Sequence, residues 1–130
     1  MQETKPYSIS KRAVITAYEK VKANKGTLES CGIKNITRVG FQEDALEKIE
    51  EGLSFDLIIT DMRYPLYRGS DTDNEAGFKL IEYLKEKNYD IPVVIGSTSN
   101  YENVTEAFGA VWYNELNDIK RDFEKIIAKL

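Results

Sequence analysis

The strongest constraint on this chain is its alternation of short apolar runs with longer amphipathic ones. Phe55–Thr60 (FDLIIT) and Ile91–Gly96 (IPVVIG) are apolar and β-branched over most of their length. A strand covered on one face alternates apolar and polar residues, whereas an unbroken apolar run suits a strand covered on both. Pro92 stands at the start of its run, where a missing N–H does least harm. Ala13–Ala17, Ile36–Val39 and Ala110–Tyr113 read as three further strands. Helical patterns fill the intervals. Glu19–Ser30 is weakened by Asn24 and Gly26 and closed by Gly32. Glu43–Glu51 carries Ala45, Leu46 and Ile49, with Gly52 as a stop. Ala76–Lys87 aligns Phe78, Ile81 and Leu84, and Tyr101–Phe108 reads as a short helix. A final helix spaces Leu116, Ile119, Phe123, Ile126, Ile127 and Leu130 along one stripe. Five strands alternating with five helices predict a three-layer α/β domain with a parallel sheet. A length of 130 residues suits one domain.

Composition removes much chemistry. The chain has no His and one Cys, Cys31. A Ser-His-Asp triad, a histidine base, an internal disulfide and a Cys/His zinc site are therefore excluded. Lys and Arg total 18 against 22 Asp and Glu, a net charge of -4, which argues against duplex nucleic acid as a partner. No apolar run is long enough to span a membrane and MQETKPYSISKR lacks a signal-peptide core, so a cytoplasmic location is expected, with no membrane partner.

In an open parallel sheet, ligands bind beyond the carboxyl ends of the strands. Asp61 ends the most hydrophobic run, in front of a long polar loop over 61–75. Two readings stand for it. A carboxylate in that low-dielectric place binds an ion or reacts, or it simply caps the following turn.

The surroundings of Asp61 point further. FDLIITDMRYP, with Asp61 followed four residues later by Pro65, resembles the receiver domain of bacterial response regulators (CheY-like). GIKNITRVGFQEDALEKIEEG resembles that family's second strand and helix, and EAGFKLIEYLKEKNYDIPVVIGS its third helix and fourth strand. FGAVWY resembles its Gly-Ala…Tyr pattern, and the likeness covers residues 12–130, leaving 1–11 as an N-terminal extension. The resemblance implies a flavodoxin-like fold with strand order 2-1-3-4-5. It implies Asp61 as phosphoacceptor, Ser97 as the hydroxyl that contacts the phosphoryl group, and Tyr113 as the switch aromatic. It also implies Mg²⁺ as cofactor, held by Asp61, the Arg63 carbonyl and an acidic pair closing the first strand.

Two positions depart from that pattern. The acidic pair falls at Ala17 and Tyr18, so Glu19 is the carboxylate left near it. Where the family has a lysine and then a proline, this chain has Leu116 and Asn117; Lys120 comes a helical turn later. Removing a fixed charge beside a transferring phosphoryl group costs several kcal/mol. The loop also carries an insertion: Gly69 follows Pro65 at the family spacing, but the next helix begins near Gly77. Its acids Asp71, Asp73 and Glu75 are candidates to fold back as metal ligands. With Glu82 they match four positions of a calcium loop, yet the glycine of that motif is Ala76 and no helix precedes it, so a solvated acidic loop is the expected state.

Among other residues, Trp112 reads as packing, Cys31 as inert, and the charges of the last helix as a solvated face. Tyr64 and Tyr67 read equally as contact or as packing. Two functions follow. The first is a non-enzymatic, stand-alone, atypical receiver-like module, a monomer or weak dimer ending at Leu130 without an output domain, that acts by protein–protein interaction. The alternative is a genuine phosphoacceptor, phosphorylated on Asp61 by a histidine kinase in a two-component phosphorelay. A hydrolase using Asp61 lacks an identifiable second carboxylate.

Overall fold

A computed structural model describes residues 11–16, 25–51, 55–101, 103–104 and 106–130. The elements are β1 (Lys11–Thr16), α1 (Lys25–Ser30), β2 (Ile33–Val39), α2 (Gln42–Glu50), β3 (Leu57–Thr60), β4 (Tyr64–Pro65), β5 (Thr72–Asp73), α3 (Ala76–Glu86), β6 (Val93–Ser97), β7 (Gly109–Trp112) and α4 (Ile119–Ala128). Five strands form one parallel sheet in the order β2-β1-β3-β6-β7.

Side-chain alternation sorts the central strands onto two cores. Ile58, Val93 and Ile95 face α2 and α3, packing with Ala45, Ile49, Leu80, Ile81 and Leu84. Leu57, Ile59, Val94 and Val111 face the other way, against Leu28 of α1 and Phe123 and Ile126 of α4. Successive strand residues point to opposite faces, so each apolar run feeds both cores at once. Every residue of β3 and of β6 is buried. The α/β class expected from the sequence is the one observed.

Helix ends follow local chemistry. Gly32, at φ 98°, closes α1 with its N–H on the Glu29 carbonyl at 3.1 Å. The α3 helix ends when Asn88 turns left-handed at φ 61°. The Tyr89 N–H then reaches the Leu84 carbonyl at 2.9 Å and the Asn88 N–H the Lys85 carbonyl at 3.1 Å, a Schellman closure. Asp118 caps α4, its carboxylate accepting from the Arg121 N–H at 3.1 Å.

Several expectations need correction. The last helix starts at Ile119, so Leu116 and Leu130 lie outside it; both are exposed, Leu116 by 92%. The Asp118 cap sets that start against the longer apolar periodicity. The described residues between Tyr101 and Phe108 make turns instead of a helix. There the Val104 N–H bonds the Tyr101 carbonyl, while the Phe108 N–H bonds Val93 and so already belongs to the sheet. Four helices lie within the described residues.

The 61–75 segment is also more ordered than a polar loop. Tyr64–Pro65 and Thr72–Asp73 pair as an antiparallel hairpin. At its tip the Ser70 N–H bonds the Tyr67 carbonyl, with Gly69 at φ 82°, a backbone angle that favours glycine. The hairpin is strapped to the start of α2. The Glu43 N–H bonds the Leu66 carbonyl at 2.9 Å, and the Arg68 N–H bonds the Glu43 carboxylate at 2.7 Å. The Arg68 guanidinium meets Asp44 at 2.9 Å and lies over the Phe41 ring. No helix of the described residues is long and apolar enough to cross a membrane.

Candidate functional site

The carboxyl edge of the sheet gathers Asp61, Ser97 and Tyr113. Asp61 follows β3 and is 8% exposed; the Met62 N–H donates to its Oδ1 at 2.7 Å. Ser97 ends β6 and is 6% exposed, its Oγ accepting from the Ser99 N–H at 3.1 Å. Tyr113 continues the ladder beyond β7, its N–H donating to the Ser97 carbonyl at 2.8 Å.

The Tyr113 ring lies across β6 at Gly96. A Cβ on Gly96 would stand 2.8 Å from Tyr113 Cε2 and 3.1 Å from its hydroxyl oxygen. That hydroxyl is buried and has no hydrogen-bond partner among the described residues. Burial pushes the phenol well above the usual tyrosine range, and the negative charge of Asp61 adds to the rise. Both causes disfavour phenolate.

Below Asp61 lies a buried polar network. The Thr60 hydroxyl is shared between the Asp61 carbonyl, at 2.8 Å, and the Tyr64 hydroxyl, at 2.9 Å. The Gln42 side-chain amide donates to the Tyr64 hydroxyl at 3.0 Å and to the Ala76 carbonyl at 2.8 Å. It joins β3, the hairpin and the starts of α2 and α3. Tyr64 is therefore an internal residue, and it parts company with Tyr67, which is 60% exposed. The α3 helix also abuts Asp61 directly. The Gly77 N–H bonds the Met62 carbonyl, and a Cβ on Gly77 would stand 2.9 Å from the Asp61 carbonyl oxygen.

Of the remaining candidates, Arg63, whose carbonyl the resemblance names, is the second residue after Asp61 and is exposed. Asp73 is engaged elsewhere: its carboxylate pairs with the Lys79 ammonium and accepts from the Glu75 N–H at 2.8 Å. The hydrogen bond from Lys79, then that from the Glu75 N–H, hold the Asp73 carboxyl below the usual range. Asp71 and Glu75 are exposed beside it. No three acidic or thiol side chains cluster to hold a metal among the described residues. Ala17, Tyr18 and Glu19 lie outside the described residues. Leu116 sits in the turn before α4, its N–H bonded to Asn114 Oδ1 at 2.8 Å and its side chain in solvent. Trp112 donates from its indole to the Thr98 carbonyl at 2.9 Å.

Sequence reasoning missed Gln42, Thr60, Gly77 and Gly96. The two glycines carried a signal. A lone glycine inside a regular element often marks a close approach of something else.

Taken together, the sheet, its flanking helices and Asp61 at the carboxyl edge define a receiver-type fold. Solved structures share it. The chemotaxis response regulator CheY4 of Vibrio cholerae is similar over 93% of this chain and 98% of its own, at 17% identity and a TM-score of 0.65. The receiver domain of NarL from Mycobacterium tuberculosis matches over 93% and 95%, at 17% identity and a TM-score of 0.67. The response regulator TrrA of Thermotoga maritima, solved in complex with Mg²⁺ and BeF, matches over 91% and 99%, at 18% identity and a TM-score of 0.65. At such identities the likeness is one of fold. No protein-family model and no curated protein matches the sequence.

Proposed function

We propose that this chain is a receiver-like signalling module of the cytoplasm that presents a fixed face to a protein partner, without catalytic turnover. The observation that carries this reading is Leu116. It occupies the position that the receiver resemblance gives to the phosphate-pairing lysine, and its side chain is 92% exposed in the turn before α4. Phosphoryl transfer depends chiefly on positioning and charge neutralisation, so a leucine at the position of that lysine weakens the step that ordinary receivers perform. The partner is then a kinase-side or effector protein that reads the surface without a phosphoryl signal.

A second reading has one observation in its favour: Asp61, Ser97 and Tyr113 share one sheet edge, with Asp61 and Ser97 buried there. On that reading Asp61 accepts a phosphoryl group from a histidine kinase. Acetyl phosphate with Mg²⁺, read by intact mass, separates the two. The interaction reading expects no adduct; an adduct that vanishes in Asp61→Asn overturns it. Once a partner is in hand, Asp61→Asn should alter its affinity by less than about 0.5 kcal/mol, as for a substitution away from the contact.

A further inference from the structure

We infer that the missing side chain at Gly96 is the seat that holds the Tyr113 ring inward across β6, so that the ring's position is set by the sequence of the sheet and not by a ligand at Asp61. The inference deepens the interaction reading above, because it supplies the reason that the presented face is fixed.

The argument begins with strand alternation. Val94 packs towards α1 and α4, and Gly96, two residues on, points its absent side chain to the same face. Val111 and Tyr113 share that face as well, and Tyr113 packs against the same core. On β3, Leu57 and Ile59 face it too, and one further step of alternation brings Asp61 there. The main sheet runs β3-β6-β7 at this edge. A ring that starts beside β7 and leans towards β3 must pass over β6, and it passes at Gly96.

Space at that crossing is already used. The contact of 2.8 Å between a Cβ on Gly96 and Tyr113 Cε2 is shorter than real Cβ contacts allow. Any L side chain at position 96 therefore competes with the ring for the same volume. The overlap involves the length of the ring and not one atom, since the hydroxyl oxygen, Cζ and Cε2 all lie within 3.3 Å of that Cβ, so the ring must shift to admit it. The hydroxyl makes no hydrogen bond among the described residues, so no polar contact explains the position. What remains is shape: a glycine hollow, and apolar neighbours that bury the ring.

The test uses the free full-length chain labelled with 3-fluorotyrosine, the Tyr113 resonance being assigned by its loss in Tyr113→Phe. A soluble paramagnetic probe reports exposure. In the wild type, Tyr113 should be broadened far less than the exposed Tyr67, and beryllofluoride with Mg²⁺ should leave its resonance in place. In Gly96→Ala it should move and become accessible. A Tyr113 resonance as accessible as that of Tyr67 in the wild type, a shift of that resonance on beryllofluoride addition, or an unchanged resonance in Gly96→Ala each overturns the inference. Should Gly96→Ala not fold, the double variant Gly96→Ala/Tyr113→Ala replaces it. Recovery of the fold once the ring is gone supports the seat, and continued failure overturns it. None of these measurements involves a partner, so failure of the interaction reading and failure of the seat are separately visible.

Discussion

Tyr113→Phe should make the protein no less stable, and by the geometry more stable. The substitution deletes one oxygen that is buried without a hydrogen-bond partner among the described residues, and it leaves the ring in place over Gly96. Burying a hydroxyl with nothing to bond costs about 1–3 kcal/mol relative to water. The phenylalanine retains the aromatic packing against the core of Val111 and its neighbours. Part of the gain is offset by the small void that the oxygen leaves, so a net stabilisation of about 1 kcal/mol is expected. For a domain of this size that is a rise in Tm of about 3–5 °C. Urea unfolding followed by Trp112 fluorescence gives the free energy, and calorimetry the midpoint.

The pH dependence supplies a second reading of the same group. Burial and the charge of Asp61 raise the phenol above its unfolded value, so the folded state holds the proton more tightly. The stability linked to that group is complete below pH about 10 and is lost as the pH rises beyond it. Wild type should therefore lose stability above pH about 10 more steeply than Tyr113→Phe. A loss of more than about 1 kcal/mol in Tyr113→Phe at neutral pH would refute the reasoning, because it would mean that the hydroxyl has a bonded partner.

Gly77→Ala should lower stability by about 1–3 kcal/mol despite the better helix propensity of alanine, because its Cβ meets the backbone carbonyl of Asp61 at 2.9 Å; a thermal melt equal to or above wild type would count against the close approach. Tyr64→Phe should cost about 1 kcal/mol, since Gln42 and Thr60 lose one shared oxygen but keep the Ala76 and Asp61 carbonyls; a loss above about 3 kcal/mol in denaturant titration would show that the hydroxyl does more than this network assigns. Lys79→Met should return the Asp73 carboxyl towards the ordinary range in a carbon-detected NMR titration, as the Lys79 hydrogen bond is the largest cause of its depression. In wild type the linked stability is present above pH about 4 and fades as the pH falls through the lowered value, with an amplitude that salt reduces at so exposed a pair. An Asp73 titration unmoved by Lys79→Met would refute that assignment.

The sequence by itself determined the class of fold. Leu57–Ile59 and Val93–Ile95 are apolar at every position, and only a sheet covered on both sides can bury such runs, because adjacent residues point to opposite faces. It also placed Asp61 just past a strand end, since the end of an apolar run is a local feature, whereas Ser97 and Tyr113 were singled out by the receiver resemblance. What it could not decide were the contacts between distant segments. The polar 61–75 stretch has no strand periodicity of its own; it becomes a hairpin because Glu43, Asp44 and Phe41 at the start of α2 hold Leu66 and Arg68. Leu116 fits the helical stripe by spacing, yet Asp118 caps the helix after it and leaves Leu116 in solvent. The Tyr101–Phe108 pattern gives way because Phe108 is drawn into bonding with Val93 of the sheet. Gly96 and Tyr113 are separated by sixteen residues, and only the parallel pairing of β6 with β7 lays the ring of one over the bare backbone of the other. Periodicity reports which face of an element is buried; it carries no record of what arrives from elsewhere to bury it.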